Sequence, residues 1–381
     1  MFEARRRHLK DVLLKKRADA VLIDSPSNLY YYTGFTGGEA LFLMPAGDMN
    51  GYIITDSRYY EQVEKECRDL TLVRLEKRGY GETLYQLIEE LLKEGILLIQ
   101  EEGEERREKD LKKQKEVFIA IEDTMQISRY MKLCEACKNI SFRMEGEAIH
   151  ECRMIKDEKE IQKIAEAEAI GDAAFSYILD RIKPGVTEAE IALELEFFMK
   201  RKGASRLSFD TIVASGANSS MPHAQVTDKK IRQGEFVTMD FGCVYQGYCS
   251  DMTRTVAVGR PTQEMKEVYQ IVLDANLHAM EGIMEGKRCS EIDAIARDYI
   301  VKYGYGEYFG HGLGHGVGLD IHEEPRFSPK CDVVTRENMV ITDEPGIYLP
   351  GNFGVRIEDL VVVKKDGFTK LSQSEKELII L

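Results

Sequence analysis

The chain has 381 residues, enough for two domains with separate cores, and 43% of them are apolar. Lys and Arg number 52 against 66 Asp and Glu, a formal charge of −14, which argues against a nucleic-acid partner. No apolar run approaches the ~18 residues a membrane span needs, and the opening MFEARRRHLK has no apolar core behind it, so no membrane association and a cytoplasmic location are expected. Cysteines 67, 134, 137, 152, 243, 249, 289 and 331 are scattered and read as reduced thiols. Cys134 and Cys137 lack the second pair or nearby His that a zinc site would need.

In chain order, Leu9, Val12 and Leu13 at helical spacing predict a helix over residues 3–17, and residues 20–23 (AVLI) a short buried strand. Strands follow over 40–44 and 51–55, joined by the turn Pro45-Ala46-Gly47-Asp48, then a helix over 59–67. Residues 101–116 are almost entirely charged and read as a solvated helix or arm. Asp157 with Glu160 starts a helix to about 182, stopped by Pro184-Gly185, and Thr187 with Glu190 starts a second to Lys202, closed by Gly203. A strand over 210–214, a loop with His223 and the strand run 235–258 complete a first unit. Helices over about 262–284 and 290–302, a glycine-rich strand and the run 338–363 repeat that order, so an internal duplication is expected.

Residues 310–324 read GHGLGHGVGLDIHEE. Glycines at 310, 312, 314, 316 and 318 alternate with larger residues at a period of two, which fits an extended strand. Its bare face admits a close backbone neighbour, while His311 and His315 project together from the other. Two acidic runs complement it. In VTMDFGCVYQGYCSDMTRT, residues 237–255, a hairpin turning at Tyr245-Gln246 places Asp240 across from Asp251. In residues 339–360 a hairpin about Gly351 places Glu344 across from Glu358, and also Asp343 across from Asp359 on the other face. Like charges directly opposed cost something within the ~0.2–1 kcal/mol scale of cross-strand pairs, so each arrangement wants a cation. Four carboxylates and His315 are a ligand set for two divalent ions, Mn²⁺ or Co²⁺ more than a thiolate-rich zinc site. Paired metals that activate water suit peptide-bond hydrolysis.

MDFG at 239–242, SDMTRT at 250–255, HGLGHGVGLDIHE at 311–323, EPGIY at 344–348 and VRIED at 355–359 resemble, in this order, the motifs of the pita-bread metallopeptidases. These are the Xaa-Pro aminopeptidases and Xaa-Pro dipeptidases, related to methionine aminopeptidase and creatinase. SPSN at 25–28, GFTG at 34–37 and TDSRY at 55–59 resemble the creatinase-like N-terminal domain of the same peptidases. The resemblance implies an α/β creatinase-like domain over 1–153 and an α+β pita-bread catalytic domain over 154–381 with an internal pseudo-two-fold duplication. It implies that Asp240, Asp251, His315, Glu344 and Glu358 hold two divalent metal ions, Mn²⁺ foremost with Co²⁺ or Zn²⁺ as alternatives, Asp251 and Glu358 bridging. His223 and His322 would orient the substrate and stabilise the tetrahedral intermediate, His311 would line the pocket, and Glu344 would double as general base and acid. Arg356 would hold a ligand carboxylate or contact the substrate.

The chain departs from the family at Asp343, where relatives usually place an apolar residue, and in the length of the charged segment 101–116. The expected activity is that of a dinuclear Xaa-Pro aminopeptidase acting on short peptides with proline second, with an Xaa-Pro dipeptidase as the alternative; a homodimer is the family expectation. A creatinase-type amidinohydrolase shares the fold without metals and would lack this ligand set, and a non-catalytic binding module would be expected to have lost it.

Overall fold

The computed structural model describes residues 2–75, 79–99 and 117–381; the charged segment 101–116 lies outside them. The chain divides into two units, Met1–Cys152 and Arg153–Leu381. The first runs α1 (Phe2–Lys16), β1 (Ala20–Ile23), α2 (Pro26–Thr33), β2 (Leu41–Pro45), β3 (Tyr52–Thr55), α3 (Tyr60–Glu66), β4 (Thr71–Arg74), α4 (Tyr80–Lys93), β5 (Val117–Ile121), α5 (Ile127–Ala136), β6 (Ile140–Met144) and α6 (Gly146–Met154). Its six strands form one mixed sheet in the order β4-β3-β2-β1-β5-β6. The antiparallel ladder β2–β3 follows the predicted turn, β1 pairs antiparallel with β2, and β1, β5 and β6 run parallel. SPSN opens α2: the Ser25 side chain accepts from the Asn28 amide and Pro26 takes the first turn, where a missing N–H costs nothing. Leu84, Leu87, Ile88 and Leu91 form the buried stripe of α4 against β1, β2, β3 and β5.

The second unit comprises α7 (Glu158–Ile178), α8 (Glu188–Arg201), β7 (Arg206–Leu207), β8 (Ile212–Ser215), β9 (Glu235–Phe241), β10 (Cys243–Tyr245), β11 (Tyr248–Cys249) and β12 (Met252–Val258). After these come α9 (Gln263–Gly282), α10 (Cys289–Lys302), β13 (Gly314–Gly316), β14 (Glu323–Phe327), β15 (Val340–Asp343), β16 (Gly346–Leu349), β17 (Phe353–Arg356), β18 (Asp359–Lys364) and β19 (Gly367–Lys370). Both predicted capping boxes are formed, with the Asp157 and Glu160 side chains each accepting the other's amide, and Thr187 and Glu190 doing the same. The repeat is visible in the sheets. The helix pair α7, α8 precedes the antiparallel set β8-β9-β12, and the pair α9, α10 precedes the antiparallel set β13-β15-β18. Each half has its own apolar core, α7 and α8 packing with β8, β9 and β12, and α9 and α10 with β13 to β18. Among the described residues no helix is long and apolar enough to cross a membrane.

Three local expectations change. The first acidic hairpin turns at Gln246-Gly247, with φ of 49° and 89°, the two positive values a type I′ turn demands. The register Tyr245↔Tyr248 then places Asp240 opposite Thr253, not opposite Asp251, which falls just before β12. The second hairpin keeps the expected register, Asp343↔Asp359 and Gly346↔Arg356, so Glu344 and Glu358 stand in the gap between two ladders. The glycine-histidine strand is shorter than expected: only Gly314–Gly316 forms a ladder, with a register shift between His315 and Gly316. Its bare face is nonetheless used. A Cβ on Gly314 would stand 1.9 Å from the Thr342 carbonyl oxygen, and one on Gly316 2.5 Å from that of Glu324.

Candidate active site and metal centre

The carboxylates arrive at strand ends, where the backbone leaves the ladder and side chains converge. Asp240 comes from β9, Asp251 from the residue just before β12, His315 from β13, and Glu344 and Glu358 from the gap between β15–β18 and β16–β17. One donor atom each of Asp251, His315 and Glu358 lie within 4.8 Å of one another, all three side chains buried. His315 Nε2 is 3.4 Å from Asp251 Oδ2 and 3.5 Å from Glu344 Oε1. Its Nδ1 lies 3.1 Å from the Gly316 carbonyl oxygen, which can only accept. The proton therefore sits on Nδ1, and the Nε2 lone pair faces the carboxylates. Burial and the neighbouring His322 hold the His315 pKa down at about 3, so the imidazole stays neutral, as a metal ligand must.

Asp240 is the asymmetric member. Its Oδ2 accepts from Arg356 Nη2 at 2.6 Å, while its Oδ1 is buried without a hydrogen-bond partner. A bound cation would supply what that oxygen lacks. Thr253 donates to Glu358 Oε2 at 2.6 Å and Thr342 to Glu344 Oε1 at 3.2 Å, fixing two carboxylate orientations. An oxygen-rich set with one imidazole, one orphaned lone pair and several tethered carboxylates fits divalent cations.

Arg356 is almost wholly buried and its donors are committed: besides Asp240 they reach Tyr348 Oη at 2.9 Å, the Pro222 carbonyl at 3.2 Å and Thr253 Oγ1 at 3.0 Å. Of the two roles expected for it, the geometry offers that of holding a ligand carboxylate. His311 carries its proton on Nδ1, toward the Gly312 carbonyl at 2.8 Å, so its Nε2 accepts from Tyr348 at 2.9 Å. Burial and the Arg356 cation hold its pKa down at about 4. His311 thus lines the cavity as the end of an Arg356–Tyr348–His311 chain.

All nine expected side chains line one cavity of about 520 Å³ within the second unit. His223 and His322 are its exposed histidines, the His322 ring meeting that of His315 edge-on at 4.4 Å between centroids. Phe209, Asp210, Ile212, Ile321, Arg326 and Ser328 complete the walls. Tyr348, Thr253 and Arg326 have no place in the sequence expectations, although Tyr348 lies within the EPGIY motif and Thr253 within SDMTRT. Beneath the site, Glu323 pairs with Arg153 and, at 3.2 Å, with Lys156, anchoring the residue next to His322.

Residues 162–365 match the profile of metallopeptidase family M24, and residues 5–155 that of the creatinase/prolidase N-terminal domain. The chain belongs to metallopeptidase family M24: it is a peptidase of pita-bread fold with a creatinase-type N-terminal domain, and its family implies divalent metal ions. It is 37% identical over 365 residues to an Xaa-Pro dipeptidase of Pyrococcus horikoshii, covering 96% of this chain and 95% of that protein. Among solved structures, the Xaa-Pro dipeptidase from Bacillus anthracis matches with a TM-score of 0.89 at 40% identity, over 100% of both chains. The X-Pro aminopeptidase from Thermotoga maritima matches with a TM-score of 0.83 at 36% identity, over 96% of this chain and 98% of that one.

Stripping the metal with a chelator should expose the electrostatics of the site. Burial, opposed by the Arg356 guanidinium, pushes the Glu344 carboxyl from 4.5 to about 8; burial and the neighbouring carboxylates raise Asp251 and Glu358 well above their ordinary values. A pKa raised on folding stabilises fully below the unfolded value and is lost as pH rises through the folded one. Stripped protein should therefore melt at a lower temperature at pH 9 than at pH 6, and saturating Mn²⁺ should remove most of that difference. Calorimetry of stripped samples showing no fall between pH 6 and 9 would contradict this electrostatic picture.

Proposed function

We propose that the chain is a dinuclear Xaa-Pro dipeptidase that uses Mn²⁺ or Co²⁺ held by Asp240, Asp251, His315, Glu344 and Glu358. The observation that carries the preference for dipeptides is Arg326. It is a half-exposed guanidinium on β14 that lines the same cavity as the carboxylates, with Glu324 at 3.9 Å as its ion-pair partner among the described residues. Such a cation beside a site for a peptide bond offers a seat to a carboxylate one residue beyond that bond, which a dipeptide has and a longer peptide lacks. The dipeptidase names of two of the proteins described above support the same choice.

Bound divalent ions would supply Lewis-acid polarisation of the scissile carbonyl and acidification of water. Glu344 takes the proton of the attacking water and returns it to the departing proline nitrogen. His223 and His322 donate toward the carbonyl oxygen as negative charge develops there. Arg356 and Tyr348 hold Asp240 and His311 in place through this change.

An Xaa-Pro aminopeptidase is the second reading, favoured by the Thermotoga maritima structure. Kinetics on Xaa-Pro, Xaa-Pro amide and Xaa-Pro-Yaa separate the two, with the protein in its solution state, for which a homodimer of twice the 43.4 kDa chain is expected. Xaa-Pro should be the best substrate, and Arg326→Leu should raise its KM by ~10–100-fold, the worth of a hydrogen bond to a charged group. The amide should be cleaved poorly and lose little more on that substitution. Rapid release of Xaa from Xaa-Pro-Yaa, unaffected by Arg326→Leu, would move the assignment to the aminopeptidase.

A further inference from the structure

The site description leaves three buried groups unused: Asp343 and Asp359, directly opposed in the β15–β18 ladder, and Glu168 on α7. One short segment, the residues that follow β19, meets Glu168 and Asp359 directly and reaches the backbone of Asp343 through Asn276. Ser372 donates to Glu168 Oε1 at 2.6 Å, and Glu168 Oε2 accepts the backbone N–H of Asp251 at 3.2 Å. The Ser372 oxygen in turn accepts the Leu360 N–H at 2.8 Å, two residues beyond Glu358.

Further along, the Ser374 and Glu375 carbonyls accept from Arg254 at 2.9 and 3.0 Å. The same guanidinium pairs with Asp359 at 2.7 Å and donates to the Glu358 carbonyl. Lys376 Nζ lies 2.7 Å from Asp359 Oδ2 and 2.7 Å from Asn276 Oδ1. The Asn276 amide reaches on to the Asp343 carbonyl oxygen at 3.0 Å, beside Glu344.

Each path thus ends at the backbone of a metal-ligand candidate or next to one. Asp343 and Asp359 face each other across the ladder, and Glu344 follows the one as Glu358 precedes the other. Arg254 and Lys376 both pair with Asp359, and Lys376 is held by its own backbone, whose carbonyl accepts from Tyr269 at 2.8 Å. The spacing of Asp251, Glu344 and Glu358, which flank β12, β15 and β18, is therefore tied to one stretch of chain.

We infer that Ser372 and Lys376 are positioning residues that hold Asp251, Glu344 and Glu358 at the spacing two divalent cations require, an inference that rests on the dinuclear reading above. A segment that merely completed the fold would affect stability alone; a positioning segment changes how the metals bind. Outer partners of metal ligands typically alter metal affinity by ~10–100-fold when removed.

The test is a Co²⁺ titration of the full-length stripped protein, followed by calorimetry and by the visible absorption of the bound ion. Wild type should take up two ions per chain. Lys376→Met should weaken uptake by ~10–100-fold and alter the visible band, and Lys376→Arg, which keeps the charge, should restore both in large part. Ser372→Ala should weaken uptake by about tenfold, and it decides the matter should Lys376→Met not fold. Affinity and spectrum unchanged in the folded variants would overturn the inference while leaving the dinuclear reading standing. Wild type binding fewer than two ions would overturn that reading, and the inference with it.

Discussion

Glu344→Gln is expected to cut kcat for Xaa-Pro by about 10²–10⁴-fold, the usual contribution of a placed general base, with a small change in KM at saturating metal. Gln has the same shape and can still accept the Thr342 hydroxyl that lies 3.2 Å from Glu344 Oε1. What it loses is the capacity to take a proton. A carboxyl pushed up to about 8 by burial is a strong base when ionised, and the cations expected beside it would favour that ionised form. The substitution should also make the stripped protein more stable at alkaline pH, because one of several crowded carboxylates is gone. Steady-state rates at saturating Mn²⁺ provide the check: a variant retaining more than a tenth of wild-type kcat would remove Glu344 from the role of base.

Arg153→Met should lower the melting temperature of the second unit by ~6–20 °C. Arg153 and Glu323 are both almost fully buried, and Arg153 also reaches Asp320 at 2.8 Å. Burial alone would raise the Glu323 carboxyl, but the Arg153 and Lys156 cations hold it down at about 2. Removing one member of such a pair leaves a buried charge poorly compensated, at about 3–5 kcal/mol, and each kcal/mol moves the melting point by roughly 2–4 °C at this size. The loss should extend to catalysis, since Glu323 anchors the residue beside His322. Differential scanning calorimetry decides it, and a fall under about 3 °C would place the pair with ordinary surface bridges.

The nine side chains that share the cavity were legible because their motifs are local: each ligand lies in a short run whose neighbours announce it. The Glu344–Glu358 register was readable as well, since Pro350-Gly351-Asn352 turns symmetrically about Gly351, which has φ of 71°. The Asp240–Asp251 register was not, because the turn was centred on Tyr245-Gln246; Gly247 is the residue that tolerates the positive φ a two-residue hairpin loop demands. The alternation of glycines suggested a long strand, but the chain leaves the ladder after Gly316, since Gly318 and Asp320 turn back on each other through a 3.1 Å hydrogen bond.

Asp343 and Asp359 could not be understood from sequence. The cations beside Asp359 are Arg254, which SDMTRT contains without announcing this role, and Lys376, which no motif marks; both are far off in the chain, and only the folded arrangement shows them meeting there. The stripe of Leu84, Leu87, Ile88 and Leu91 was, by contrast, a plain helical signal in the first domain that the expectations omitted.

The close packing of β13 also decides where this enzyme can be re-engineered. With a carbonyl oxygen pressed against the Cα of Gly314 and another against Gly316, the strand bearing His315 has no room for a new side chain. The cavity walls at Phe209, Ile321, Arg326 and Ser328 carry no such restriction. A library aimed at new substrate preferences should therefore vary those walls and leave the glycine strand untouched, because variants there would fail in folding before selectivity could be measured.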